Sequence, residues 1–228
     1  LQEAGLADGA GRRGFGHQAR SDGCHASLTC CIGAGAATLP SRQRCASAMP
    51  TRLELSGSLH RFSRENPLQA VLAGEFIALL DDTGPVFERR RLAGHFTASA
   101  FVVSADGERA LLLHHSKLRR WLQPGGHADG DVDLARVALR EAEEETGLGG
   151  LVVEPAIFDI DRHAIPARGA EPEHWHWDVR YVVRCSGDET PRINSESKAV
   201  AWRRIDELAG DGSIDPSIRR MAARWLTR

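Results

Sequence analysis

Between Gly125 and Leu148 the chain reads GGHADGDVDLARVALREAEEETGL, a glycine turn running straight into a helix-forming stretch that ends in carboxylates. At roughly 100° per residue, Leu134, Ala135, Val137, Ala138, Leu139 and Ala142 form one broad apolar face, with Arg136, Arg140 and Glu143 away from it. Glu141 and Glu145 stand one turn apart at the edge of that face, and Glu144 lies just beyond them toward solvent. A helix whose acids were only a solvated surface would carry them opposite its core. Like charges one turn apart repel by about 0.2–0.5 kcal/mol on an exposed helix, and by more where water is partly excluded, so something positive must offset them. Arg140 supplies one charge. A hard divalent cation suits the rest, because Mg²⁺ takes a few carboxylate oxygens, keeps waters and draws further ligands from a substrate phosphate. The glycines ahead of the helix fit the same chemistry: without a Cβ, their backbone amides can approach an anion beside a helix start.

This segment resembles the Nudix box, in which a glycine is followed after five residues by a glutamate and then, after seven more, by Arg-Glu-apolar-any-Glu-Glu-any-Gly-apolar. Gly126 opens it, and Arg140, Glu141, Ala142, Glu144, Glu145, Gly147 and Leu148 fill its second half in register. Leu122, Gln123, Pro124 and Gly125 are similar to the family's lead-in. Val132 departs from the pattern, standing where the first glutamate belongs, between Asp131 and Asp133. The resemblance covers about residues 93 to 208 and implies an α/β fold, the Nudix-type α/β/α sandwich around a mixed β-sheet.

The resemblance also implies an activity: hydrolysis of a pyrophosphate bond in a nucleoside diphosphate linked to another moiety. Mg²⁺ or Mn²⁺ is the implied cofactor, on Glu141 and Glu145 with Glu144 in support and the Gly126 carbonyl as a further ligand. Such an ion neutralises phosphate charge and lowers the pKa of a bound water. A carboxylate must then accept that water's proton, which is worth about 10² to 10⁴ in rate. Glu144, Glu141 and Glu196, the last just ahead of a later strand, are the candidate bases, and Arg140 matches the box arginine that orients a glutamate. Gly125 and Gly126 are placed against the substrate. The alternative is a catalytically silent Nudix domain that binds nucleotide or regulates a partner, to which Val132 points and the three retained glutamates do not. A diphosphate isomerase of the same fold is a further rival. His163 stands where many ADP-ribose enzymes carry a proline, and the tyrosine of diadenosine polyphosphate enzymes is absent, so the substrate stays open among nucleoside diphosphate derivatives.

The chain of 228 residues is 42% hydrophobic, enough for one proper core, and has no apolar run of the roughly 18 residues that a membrane span requires. A formal net charge of −2 argues against a surface that coats nucleic acid. The expected partner is therefore a small-molecule nucleoside diphosphate derivative, with no nucleic acid, no membrane, and a homodimer as the assembly to test. Arg89, Arg90 and Arg91, and Lys117, Arg119 and Arg120, form local basic clusters that are either solvated or meet polyphosphate. Residues 1–48 differ from the rest: Gly, Ala, Ser and Arg dominate, and four of the five cysteines lie there. That stretch reads as a disordered or artefactual leader ahead of Met49, or alternatively as a targeting segment with Ala46, Ser47 and Ala48 at its small-residue end. Only Cys185 falls in the patterned region, which suits a reducing cytoplasm.

Residues 49–92 read as a helical N-terminal extension and 93–228 as the Nudix hydrolase domain. Asn66 and Pro67 start a helix whose apolar stripe is Leu68, Val71, Leu72, Leu79 and Leu80. Phe96 to Ser104 and Ala110 to His115 are strands joined by a hairpin signal. Farther on, Trp175, Trp177, Val179, Tyr181, Val183 and Cys185 alternate with His174, His176, Asp178 and Arg180, the period of a strand with one apolar face. The other face is either solvated, or lines the substrate pocket, or binds metal; His176, Asp178 and Arg180 are its substrate-binding candidates. Ala199 to Ile205 is another strand, and Asp215-Pro216 opens a helix that turns Ile218, Met221, Ala222, Trp225 and Leu226 inward. A chain beginning at Met49 is expected to fold, melt and turn over like the full one, because nothing before it can bury enough apolar surface to offset ordering entropy. A large drop in melting temperature or activity on truncation would overturn this.

Overall fold

The computed structural model describes residues 51–116, 118–169, 172–192 and 197–228. In chain order the elements are α1 (Arg52–Glu65), a 3₁₀ turn (Pro67–Gln69), α2 (Ala70–Leu80), β1 (His95–Val103), β2 (Arg109–His115), β3 (Arg120–Leu122), β4 (Gly125–His127), α3 (Leu134–Thr146), β5 (Leu151–Ile165), β6 (His174–Cys185), β7 (Ser197–Arg204), α4 (Ile205–Gly210) and α5 (Pro216–Trp225). The strands form one sheet in the order β3-β2-β1-β6-β5, with β4 also on β1 and β7 also on β2. β1 and β6 run parallel while the other pairs are antiparallel, so the sheet is mixed.

All nine residues of β1 are buried, which requires cover on both faces of the sheet. Alternate side chains go to opposite sides. Phe96, Ala98, Ala100 and Val102 join one core with Leu59 and Phe62 of α1, Phe76 and Leu80 of α2, and Leu134, Val137 and Ala142 of α3. Phe101 and Val103 join a second core with Ile205 and Leu208 of α4 and Ile218, Met221 and Ala222 of α5. The arrangement is an α/β/α sandwich.

Several local expectations change. The helix that the sequence places from Asn66 onward is two helices: the Asn66 backbone N–H and Nδ2 both donate to the Phe62 carbonyl, closing α1, and Pro67 starts a separate turn. Leu68 and Val71 are consequently exposed, and the buried stripe of α2 is Ala73, Phe76, Leu79 and Leu80. The sequence signal for α1 is the capping box of Thr51 and Glu54, whose two reciprocal bonds form. β5 was not anticipated, because Pro155 interrupts it; the ladder to β6 shifts register between Val153 and Ile157, where a proline cannot donate. Leu226 lies beyond α5 and is exposed rather than inward.

On β6 the polar face is buried along with the apolar one: His174, Asp178 and Arg180 are buried beside Val179, Tyr181, Val183 and Cys185, and Trp175 is half-exposed. Cross-strand pairing explains this, since Asp159 lies opposite Arg180, and Arg180 also neutralises the facing carboxylates Asp161 and Asp178 under α5. Arg180 reaches Asp178 at 2.7 Å, Asp161 at 3.0 Å and Asp159 at 3.4 Å, and Arg220 of α5 reaches Asp159 at 2.7 Å. Asp159 is fully buried. Asp159→Ala should therefore cost about 3–5 kcal/mol, because it strands buried guanidinium charge. Urea denaturation of both proteins checks this, and a loss below about 1 kcal/mol at unchanged slope would show that the network is dispensable.

Candidate active site

The glycine turn is held by close packing on two sides. A Cβ on Gly125 would stand 2.3 Å from the Ser99 hydroxyl and 2.8 Å from the Ala98 carbonyl of β1. A Cβ on Gly126 would stand 2.5 Å from the Glu141 carboxylate carbon, so only glycine lets that carboxylate lie on the turn. Pairing of Ala98 with Gly126 and Ser99 with Gly125 fixes the turn along β1. Glu145 accepts the Gly125 N–H at 2.9 Å from one turn farther along α3. Two box carboxylates thus converge on consecutive glycines.

The helix that carries them is fixed at both ends. Asp133 is its N-cap, accepting from the Arg136 amide, and Gly147 closes it in the left-handed conformation at φ 64°. Arg140 donates to Glu141 at 2.8 Å and to the His127 carbonyl at 3.2 Å, tying the second box glutamate to the residue after the turn. Its hydrogen bond to Glu141 holds the guanidinium still more firmly protonated. Glu144 is exposed, with Arg140 4.0 Å away. Val132 packs partly buried against the first core, while Asp131 takes both Arg136 and the Asp133 amide. The acids flanking Val132 are therefore engaged at the helix start and leave the carboxylate cluster to α3.

Of the residues expected to meet substrate or metal, Gly125, Gly126, Glu141 and Glu145 come together, and Arg140 joins them. Glu144 points to solvent at the rim. Glu196 lies outside the described residues. Asp178 is buried elsewhere, accepting from Ser99 at 2.8 and 2.9 Å, from Thr97 at 3.2 Å and from Arg180 at 2.7 Å. Arg180 is buried with it, its guanidinium enclosed by three carboxylates in an internal ion network. Four of the clustered basic residues are engaged as well: Arg89 pairs with Asp129, Arg90 with Glu88, Arg91 with Asp82 and Arg120 with Asp215, while Lys117 lies outside the described residues. Glu88, Arg89, Arg90, Asp129 and Gly130 line an open hollow of about 380 Å³ beyond the turn.

His176 sits among other imidazoles. Its ring centroid is 4.9 Å from His127, 5.0 Å from both His95 and His174, and 5.5 Å from His163. Burial and then its imidazole neighbours push its pKa down to about 2, so the ring is neutral at ordinary pH. The alternation on β6 exposed His174 and His176 to the reader of the sequence. The contributions of His95, His127 and His163 depend on strand register and carried no sequence signal.

The carboxylates fit a hard divalent cation, with oxygen donors on a turn that a side chain would fill. The family model for the NUDIX domain matches residues 94–225, extending past the resemblance to include α5. A protein of Mycobacterium tuberculosis carrying the provisional name 8-oxo-dGTP diphosphatase 3 is 28% identical over 141 residues, 58% of this chain and 61% of its own length. The chain thus spans about three fifths of the curated relatives it matches. Among solved structures, a C. elegans Ap4A hydrolase binary complex aligns at 16% identity and a TM-score of 0.46, covering 58% of this chain and 95% of that one. A NUDIX-family hydrolase of Clostridium perfringens aligns at 26% identity and a TM-score of 0.43, covering 58% and 96%. With its glycine turn, capped helix and matched span agreeing, the chain belongs to the NUDIX domain family.

Proposed function

We propose that this protein hydrolyses a pyrophosphate bond in a nucleoside diphosphate linked to another moiety, with Mg²⁺ or Mn²⁺ as cofactor. The observation that carries this reading is the convergence of Glu141 and Glu145 on Gly126 and Gly125. Glu141, Glu145 and the Gly126 carbonyl would hold the ion, with Glu144 in support. A bound divalent ion supplies charge neutralisation of the phosphates and acidifies a ligated water. Arg140 keeps Glu141 aimed at the turn, and the bond between them limits the carboxylate's freedom before substrate arrives. Exposed Glu144 is our first candidate for the base that accepts the attacking water's proton, with Glu141 and Glu196 as the others. The Gly125 and Gly126 backbone faces the phosphates. The name of the mycobacterial relative supports a nucleotide substrate. No helix among the described residues is long and apolar enough to cross a membrane. We place the reaction in the cytoplasm on the ground of the single cysteine, Cys185, in the patterned region.

Glu145→Gln should remove most turnover while leaving the fold intact, because it deletes an anionic ligand and relieves repulsion with Glu141. Melting temperature without metal should hold or rise. Retention of more than about a tenth of wild-type turnover at saturating Mg²⁺ would refute the ligand assignment.

Val132→Glu separates the enzyme from the silent binding domain. Because Asp131 and Asp133 already serve the helix start, the substitution should change activity modestly. Both proteins would be assayed for metal-dependent phosphate release on a panel of nucleoside diphosphate derivatives. A silent wild type beside an active Val132→Glu variant would overturn the hydrolase reading and favour a regulatory domain.

A further inference from the structure

On the sheet face opposite α3, five histidines from four strands meet. Strand register brings them there: His95 pairs with His176 across the parallel β1–β6 ladder, His163 of β5 pairs with His176 from the other side, and His127 of β4 pairs with Thr97 of β1. His95 and His174 are almost fully buried. One ring nitrogen from each of His95, His174 and His176 lies within 4.8 Å of those of the other two.

The hydrogen bonds fix which nitrogens carry protons. His174 Nδ1 donates to the Pro172 carbonyl at 2.9 Å, and His95 Nδ1 donates to the Arg91 carbonyl at 3.3 Å. Each proton therefore sits on Nδ1, leaving Nε2 with a lone pair. An imidazole held at one nitrogen by a backbone carbonyl is the usual outer support of a metal-ligating histidine. With its own proton on Nδ1, His174 Nε2 accepts from His176 Nε2–H at 3.2 Å, a proton that a bound metal ion would displace. Two nitrogens bound to one tetrahedral ion at the usual Zn–N length would stand about 3.3 Å apart.

We propose that His95, His174 and His176 form a second metal site, taking one borderline divalent transition-metal ion of the Zn²⁺ class. Its donors are all imidazole nitrogens, which suit Zn²⁺, Ni²⁺ or Cu²⁺ and not Mg²⁺, so it differs in kind from the oxygen site on Glu141 and Glu145. Three protein ligands leave a coordination position for water or another group. The His127 ring lies 5.1 Å from that of His95 and 4.9 Å, edge-on, from that of His176, and His127 directly follows Gly126, so the ion would stand beside the glycine turn without sharing its carboxylates.

The test is Co²⁺ titration of the full chain followed by absorption spectroscopy, with Zn²⁺ and Mg²⁺ as competitors, on wild type, His174→Gln, His176→Gln and the double variant Glu141→Gln/Glu145→Gln. One equivalent of Co²⁺ should give ligand-field bands without a thiolate charge-transfer band, and Zn²⁺ should displace it while excess Mg²⁺ does not. Each histidine variant should weaken binding at least about tenfold, and the glutamate variant should leave it unchanged. A thiolate band, displacement by Mg²⁺, loss in the glutamate variant or indifference to the histidine changes would each overturn the proposal. Should the histidine variants fail to fold, the wild-type spectrum and the Mg²⁺ competition decide. None of these readouts uses turnover, so the hydrolase reading and this one can fail separately.

Discussion

A central strand buried on both faces sets the terms for everything else in this molecule. β1 pairs with β2, β4 and β6 and has no exposed residue, so each of its polar side chains needs a partner inside the protein. Thr97 and Ser99 find one in Asp178, and Asp178 in turn requires Arg180. The chain of requirements runs on through Asp159 and Asp161 to Arg220, which anchors α5 to the sheet. Buried ion networks of this kind add little net stability over an apolar core but are costly to break, which makes the packing specific. Ser99 also explains the chemistry at the edge, because the glycine turn can lie against β1 only where position 125 lacks a Cβ.

The carboxylate site is an outcome of that constraint. β4 is three residues long and pairs with β1, so the turn's position along the sheet is decided by β1 and not by the loop itself. α3 packs its apolar stripe into the same core as Phe96 and Ala98, and this rotates Glu141 and Glu145 to the edge where the glycines stand. A site built on packed elements holds its geometry better than one on free loops. The histidine cluster uses the same strands on the other face, which is how two groups of metal-seeking residues with different donor chemistry come to lie close together.

Local features were legible where short-range rules decide. The box helix, its glycine stop and the Asp215 cap formed as the sequence reads, since capping and 3.6-residue periodicity act within a few residues. The break at Asn66, the long bulged β5 and the burial of the β6 polar face were harder. The break at Asn66 is made locally, by its bonds to Phe62 and by Pro67, whereas in the other two a distant partner overrides the local pattern: β6 rescues a strand containing Pro155, and α5 covers residues that alternation alone would leave wet.

The family, the glycine turn and the helix edge that carries Glu141 and Glu145 were all legible in the chain, because they depend on spacing within one contiguous segment. The role of Arg180 as an internal counter-ion, and the meeting of His95, His127, His163, His174 and His176, came instead from long-range packing. The strands that carry them are far apart in the chain and are brought together by register, where a shift of one residue would send each side chain to the opposite face.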